Sequence, residues 1–394
     1  MLIQVHMLQN HSPSNLNRDD TGSPKDCLFG GVLRARISSQ CLKHSIRRSS
    51  IFTEELKDLL GKRTRGLPKL IGDALTEMGC DEETIQAITL KASALGKKDS
   101  KEQGEPEDPG DEGEPARDLE VSDGGQLETR QLIFIDPNEV ALLASELKTI
   151  FDSDRKRFGK LPIKDVESRL SKKLPRSVDI ALFGRFTTTS AFEDVHSAVQ
   201  VAHALSTTKV EKQFDYFSAV DDLNEGSGDH GAGMIGDVEF NSATYYKYFS
   251  IDWNKLLENL GGDVEVGYRT IAAFINAAAL STPTGKQNTF AAHNPPDFIL
   301  IEVNEENVPI SYANAFVKPV RADRDEDVVQ ASVRELGVYA DMVKRAYSIA
   351  PAAEIYLSVR GQEIPRAGRV ENLATLVSRT IGAVKSSAAS GAVA

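Results

Sequence analysis

The sequence predicts an α+β fold in which a sheet packs against helices, and a split β-α-β, ferredoxin-like core suits the pattern. Three observations lead there. Short apolar or alternating runs suited to strands recur between segments of helical period. From about residue 208 the pattern becomes β-rich on both sides of a glycine-laden tip. An acidic stretch with almost no apolar residues interrupts the helical part and carries no element signal of its own.

Taken in order, "LIQVHML" (2–8) alternates as a half-buried strand does. Residues 11–31, rich in Ser, Asn, Asp and Gly, read as a polar loop. "ISSQCLKHSIRRSSIF" (37–52) reads as a basic helix with Ser38 or Ser39 as its N-cap. Residues 53–96 read as helices with polar breaks, 80–96 most clearly. The stretch 99–128 cannot bury enough apolar surface to order itself, so a disordered surface insertion is expected. Helix resumes over 136–158, with Asp136 as cap and Pro137 in the first turn. "SVDIALFGRF" (177–186) reads as a buried strand, and 190–206 as a helix with a small-residue stripe. Two β-prone arms, 209–223 and 238–252, flank the tip 224–237 and predict a long hairpin. A helix (267–280), a loop (281–296), a strand (297–303), a helix (327–347) and a strand (354–359) follow. The end, 386–394, is expected to fray.

The 394 residues leave room for two or three domains, or one with large insertions. No apolar run nears the ~20 residues that cross a bilayer, and no signal peptide is evident at the start. Three cysteines, Cys27, Cys41 and Cys80, lack any C-x-x-C pairing and read as reduced packing residues of a cytoplasmic protein. The net charge of −12 speaks against a nucleic-acid partner only until it is mapped along the chain. Residues 99–128 hold twelve Asp/Glu against Lys101 and Arg117, and the rest of the chain is at −2. Residues 1–50 carry seven Lys/Arg against three Asp. Salt screens beyond a Debye length of ~8–10 Å, so a site responds to its local charge.

Arg18 and Lys25 in the loop, with Arg34, Arg36, Lys43 and Arg47 after it, supply charge for phosphates; Asn17, Ser38, Ser39 and Gln40 add hydrogen-bonding groups. A solvated helix face is the competing reading of the same residues. Apolar groups on the hairpin, Tyr216, Phe217 and Val220 with Met234 and Ile235 across the tip, suit wedging between bases or packing on a neighbouring subunit. Enzymatic signals are thin. Asp19, Asp20 and Asp26 lie among cations, His196 and His203 sit seven apart on the expected helix, and His230 has no second ligand at metal spacing. "TGKQ" (284–287) lacks the rest of a P-loop. The aromatic motif with which RRM domains stack RNA is absent too.

"HSPSNLNRDDTGSPKD", "FGG", "RISSQ-LK", "DIALFGR", "FSAVDDL" and "ANAF" strongly resemble the CasC-type backbone subunit of Cascade, the type I-E CRISPR surveillance complex, over nearly the whole chain. The acidic insertion departs from the family pattern. The resemblance implies an RRM-like palm (1–60 and 177–394), helical fingers inserted at 61–176, and a thumb hairpin at about 207–250. It implies a cytoplasmic, non-catalytic protein of antiviral defence without cofactor or metal, assembled head to tail with copies of itself along a guide (crRNA). Other Cascade subunits and target DNA, reached through the guide, are the further partners, and no membrane is involved. Carried onto this chain, guide contacts fall at Arg18, Lys25, Ser38, Gln40, Lys43, Arg47 and Phe186. The thumb wedge falls at Tyr216, Phe217, Val220 and Met234, and target-DNA contacts at Arg155, Lys156, Arg157 and Lys160. Two rivals stand beside this reading: a metal-dependent ribonuclease subunit using a loop aspartate, and an assembly protein whose basic face binds an acidic protein.

Overall fold

Strand β1 (Leu2–Ser14) runs antiparallel between two neighbours, and every residue from Leu2 to Gln9 is buried. The alternation over 2–8 therefore marks a strand covered on both faces, whose polar side chains have found internal partners. Tyr248 donates its hydroxyl to Gln4 Oε1 at 2.7 Å, and His6 Nδ1 lies 2.8 Å from the Tyr246 hydroxyl.

A computed structural model describes residues 1–95, 127–170, 176–187, 189, 191–219 and 234–391. They form two compact units, one of Met1–Leu56, Val199–Asn254 and Gly267–Ala394, the other of Lys57–Ala198 and Lys255–Val266.

The first unit holds β1, β2 (Asp26–Phe29), β3 (Val32–Ile37), α1 (Ser39–Arg48) and α2 (Ser50–Glu55), then β6 (Val199–Val201), β7 (Ala204–Ser206), β8 (Gln213–Ala219) and β9 (Met234–Asp252). Its last part holds most of α10 (Val264–Leu280), then α11 (Gln287–Phe290), β10 (Phe298–Asn304), α12 (Val328–Ala346), β11 (Ala353–Ser358), β12 (Gly368–Val370) and α13 (Leu373–Gly391). The sheet order is β12-β11-β10-β1-β9-β7-β3-β2, with β6 and β8 also on β9, and among the described residues only the β11–β12 pair is parallel. In its centre, β10-β1-β9-β7, α1 lies in the connection after β1 and α10 in the connection after β9. One face buries Leu8, Tyr246, Phe298 and Tyr356 under Val333, Leu336 and Ala340 of α12. On β9, Phe249 meets Phe274 of α10 edge-on at 5.5 Å.

The second unit holds β4 (Lys62–Thr64), α3 (Leu67–Glu77), α4 (Glu82–Ala92), β5 (Ile133–Ile135), α5 (Pro137–Ser153), α6 (Arg155–Phe158), α7 (Ile163–Glu167) and α8 (Val178–Phe183). Helix α9 (Trp253–Asn259) begins in the first unit and continues into this one. Apolar residues recur every four positions in α3, so that Leu67, Ile71 and Leu75 line one stripe and share a core with Ile88 of α4 and Leu143 and Leu147 of α5.

The mixed α+β class is as expected, and several elements are not where the sequence suggests. The loop expected over 11–31 is loop only over 15–25, because β1 continues to Ser14 and β2 and β3 form a hairpin. Gly30 and Gly31, at φ +62° and +77°, make its turn, and a side chain on Gly30 would strike the Val317 carbonyl. The helix expected over 37–52 breaks at Ser49, whose side chain caps α2 by accepting the Phe52 amide. That over 136–158 breaks at Asp154. Residues 178–183 are helix α8, not a strand; a short, uniformly apolar run fits either a buried helix or a buried strand, and Gly184 at φ +80° ends it. Residues 191–206 contain no helix, and β6 and β7 pair with β9 instead. Helix α13 runs through Gly391 where fraying was expected. The acidic stretch lies outside the described residues except at 127–128, as does His230.

Candidate nucleic-acid interface

The N-terminal loop is built on its own hydrogen bonds. Asp19 Oδ1 accepts from the Thr21 amide at 3.0 Å, the Thr21 hydroxyl at 2.8 Å and the Ser23 amide at 2.9 Å. These bonds hold the Asp19 carboxyl below its usual pKa, the Thr21 hydroxyl contributing most. Asn15 Nδ2 donates to the carbonyls of Gly22 and Glu239, both at 2.9 Å. Asn17 joins loop to helix, its carbonyl accepting the Lys25 amide and its Oδ1 the Ser38 amide, each at 2.8 Å. Arg18 and Lys25 are thereby brought to the start of α1.

At that helix start Ser38 is itself buried, and its Oγ accepts the Cys41 amide at 3.3 Å. Its role is to cap and position, which leaves Ser39 and exposed Gln40 at the end where amides have no intrahelical acceptor. Lys43 and Arg47 follow one turn apart on one helix face, both half-buried. Burial lowers the Lys43 pKa, and a charge partly withdrawn from water acts more strongly on a nearby phosphate.

Arg34 does not belong to this face, contrary to expectation. Its side chain is 0 % exposed and donates to the carbonyls of Phe29, Ser206, Thr207, Phe316 and Val317 at 2.7–3.3 Å. A buried cation must be compensated, and here backbone carbonyls do it, tying the β2–β3 hairpin to its surroundings. Arg36 is half engaged, donating to the Asp26 carbonyl at 3.2 Å and lying 3.0 Å from His203 Nδ1. Asp26 pairs with Lys212 at 3.0 Å, and Lys212 also reaches Glu239 at 3.0 Å.

The β8–β9 hairpin pairs Gln213 with Phe240 through Ala219 with Met234. Pleating separates the expected wedge: Tyr216, 68 % exposed, shares a face with Phe214, 66 % exposed, while Phe217 points to the other. Phe214 was missed by the sequence reading, although alternation from Tyr216 marks it. Met234 begins β9, and Val220 lies outside the described residues.

In the second unit, Phe186 is 85 % exposed. Its neighbour Arg185 is pinned by a bidentate pair with Glu139, 2.7 and 3.0 Å, and by two bonds to the Glu193 carbonyl. Glu139 also closes a capping box with Asp136 at the start of α5. The Arg of "DIALFGR" thus anchors the chain where Phe186 emerges, a structural role that the sequence reading passed over. Arg155, Lys156, Arg157 and Lys160 are all exposed; Arg155 pairs with Asp152 at 3.1 Å and Arg157 with Asp154 at 3.7 Å.

Among the described residues, no three His, Cys, Asp or Glu side chains converge as metal ligands do, and no helix is long and apolar enough to cross a membrane. His196 and His203 do not share a helix.

No curated protein matches the chain. Among solved structures, a chain of a "CRISPR RNA-guided surveillance complex, pre-nicking" is 28 % identical with a TM-score of 0.78, the match covering 97 % of this chain and all of that one. A chain of another "CRISPR RNA-guided surveillance complex", 22 % identical with a TM-score of 0.60 over 98 % of this chain and all of that one, shares the fold. The CT1975-like protein family matches residues 3–379, so the chain belongs to that family, in agreement with the resemblance to CasC-type Cascade proteins.

Proposed function

We propose that the chain is a component of a CRISPR RNA-guided surveillance complex and, within it, the non-catalytic subunit that binds the guide along its backbone. The observation that carries this is the Asn17 junction, which holds Arg18 and Lys25 of the loop at the start of the short helix α1, whose one face carries Lys43 and, in its last turn, Arg47. Such a patch grips phosphates and 2′-hydroxyls and reads no base edge, as a subunit serving any guide requires. Sequence is then read by pairing of guide with target DNA.

In this reading β10-β1-β9-β7 with α1 and α10 is an RRM-like palm, the β8–β9 hairpin is the thumb that interrupts base stacking, and copies repeat head to tail along the guide. Exposed Phe186 buttresses a base, and the α6 cations meet target DNA. The engagement of Asp19 in its own turn and of Asp26 with Lys212 supports a structural use of the loop carboxylates over a catalytic one.

Titrating the purified protein with single-stranded RNAs of unrelated sequence tests the proposal. Affinities equal within a few-fold, falling with salt and without strand cleavage in Mg²⁺, are expected. A strong preference for one sequence, or no RNA binding, would overturn it.

A further inference from the structure

The "TGKQ" segment, which is no P-loop, sits in an unusual setting. Gly285 is pressed against the end of β1, where an added Cβ would lie 2.4 Å from the Leu16 carbonyl oxygen and 2.7 Å from that of Asn15. Lys286, next along, is held at φ +50°, and Ala291 at φ +46°. Two non-glycine residues in the left-handed region within six positions are uncommon, and such conformations gather at ligand-contacting sites. The segment is tied at both ends. Gln287 Nε2 donates to the Pro283 carbonyl at 3.0 Å, and Phe290 packs on Phe240, at the base of the β8–β9 hairpin, at 5.5 Å.

These anchors set the loop between the two features already assigned to the guide. The Asn15–Leu16 backbone beneath Gly285 runs directly into Asn17, which holds the start of α1. Asn15 also donates to the Glu239 carbonyl, beside Phe240 on the hairpin. Lys286 is half-exposed, and nothing among the described residues ion-pairs with it. From Ser281 to Pro296 the sequence contains no Asp or Glu, while Asn288, Thr289 and His293 are exposed. A strained, acid-free loop that displays a cation and hydrogen-bonding side chains matches a ribose-phosphate chain in charge and chemistry.

The geometry points to a second grip on the guide: the Gly285–Ala291 loop contacts RNA phosphates through Lys286, between the N-terminal patch and the hairpin. This rests on the proposed guide-binding function. Gly285 acts as a positioning residue, since only a glycine lets the loop seat on the Asn15 and Leu16 carbonyls, and Lys286 supplies the charge.

Full-length protein titrated with a fluorescein-labelled single-stranded RNA of mixed sequence, over a series of salt concentrations, tests the inference. Lys286→Gly removes the cation and relaxes the left-handed backbone, so loss of fold does not confuse the result; far-UV circular dichroism checks it. Lys286→Gly is expected to weaken binding several-fold at low salt and to reduce the slope of log K against log salt by about 0.7, with Lys286→Arg retaining both. Unchanged affinity and slope in Lys286→Gly, while Lys43→Ala lowers both, would overturn this grip and leave guide binding standing. Failure of the wild-type protein to bind RNA would overturn the two together.

Discussion

The ring of Phe217 lies directly over Gly236 on the facing strand, where an added Cβ would come within 2.6 Å of its Cζ. A cross-strand aromatic covers the bare glycine backbone, which keeps Phe217 on the hairpin and leaves Phe214 and Tyr216 to point away. Gly236→Ala is expected to displace the ring and loosen the arm by about 1 kcal/mol, seen as ~5-fold faster amide exchange over residues 213–219. The double variant Gly236→Ala/Phe217→Ala should exchange no faster than Phe217→Ala alone. Independent, additive effects would disprove the contact.

Arg34 and Arg47 are both cations of the N-terminal region, and the structure gives them opposite consequences. Arg34→Met strands five carbonyls that now share one guanidinium, so a loss of about 3 kcal/mol or more in stability is expected. RNA affinity of the remaining folded protein should hardly change. Arg47→Ala should instead cost less stability than Arg34→Met and weaken RNA binding by a similar factor for every sequence. Exchange of these two phenotypes would show that the assignment of the burial is wrong.

Lys247 offers a test in pH. It is 2 % exposed on β9, its Nζ lies 3.4 Å from the Ala278 carbonyl, and burial brings its pKa to about 8. Beside it, burial and then the Lys247 charge push the His11 pKa down to about 3, so that imidazole is neutral. Between about pH 8 and the ordinary lysine value of 10.5, the unfolded chain binds the proton more readily than the folded one. Stability from this group therefore rises with pH through that window. Lys247→Met should be more stable than wild type by up to about 3 kcal/mol at pH 7, and most of the gap should close by about pH 10. Urea midpoints at the two pH values measure it, and a gap that does not shrink refutes the account.

Phe186 is an exposed aromatic next to a rigidly held arginine. Phe186→Ala should alter the thermal midpoint little, since surface changes away from special features stay within about 0.5 kcal/mol. If the ring stacks on a base, its loss should weaken guide binding by about 1–3 kcal/mol. RNA affinity equal to wild type would remove Phe186 from the interface.

What the sequence made legible depends on how local its signals were. Helix α12 and the start of α5 lie within a residue or so of their expected places, and the structure shows a local signal at each: Asp327 with Gln330 and Asp136 with Glu139 form capping boxes, written in four consecutive residues. Residues 178–183 and 199–206 were misassigned because their state is set by what they pack against: α8 is buried nearly throughout, and β6 and β7 take their form from β9. The same holds for the candidate interface. Charge spacing selects Arg18, Lys25, Lys43 and Arg47 as candidates together with Arg34, and nothing local distinguishes Arg34, which looks like its neighbours and lies inside. The Gly285 loop was dismissed for lacking a nucleotide motif, and its left-handed residues are visible only in three dimensions.

Strand β9 runs for 19 residues, from the hairpin arm into the middle of the sheet without interruption. Drag applied at the arm is consequently delivered along that strand and resisted by its ladder with β1 in shear, many bonds loaded at once instead of one after another. The arm is less a hinged flap than a spring leaf clamped at its root, stiff against withdrawal and compliant only in bending.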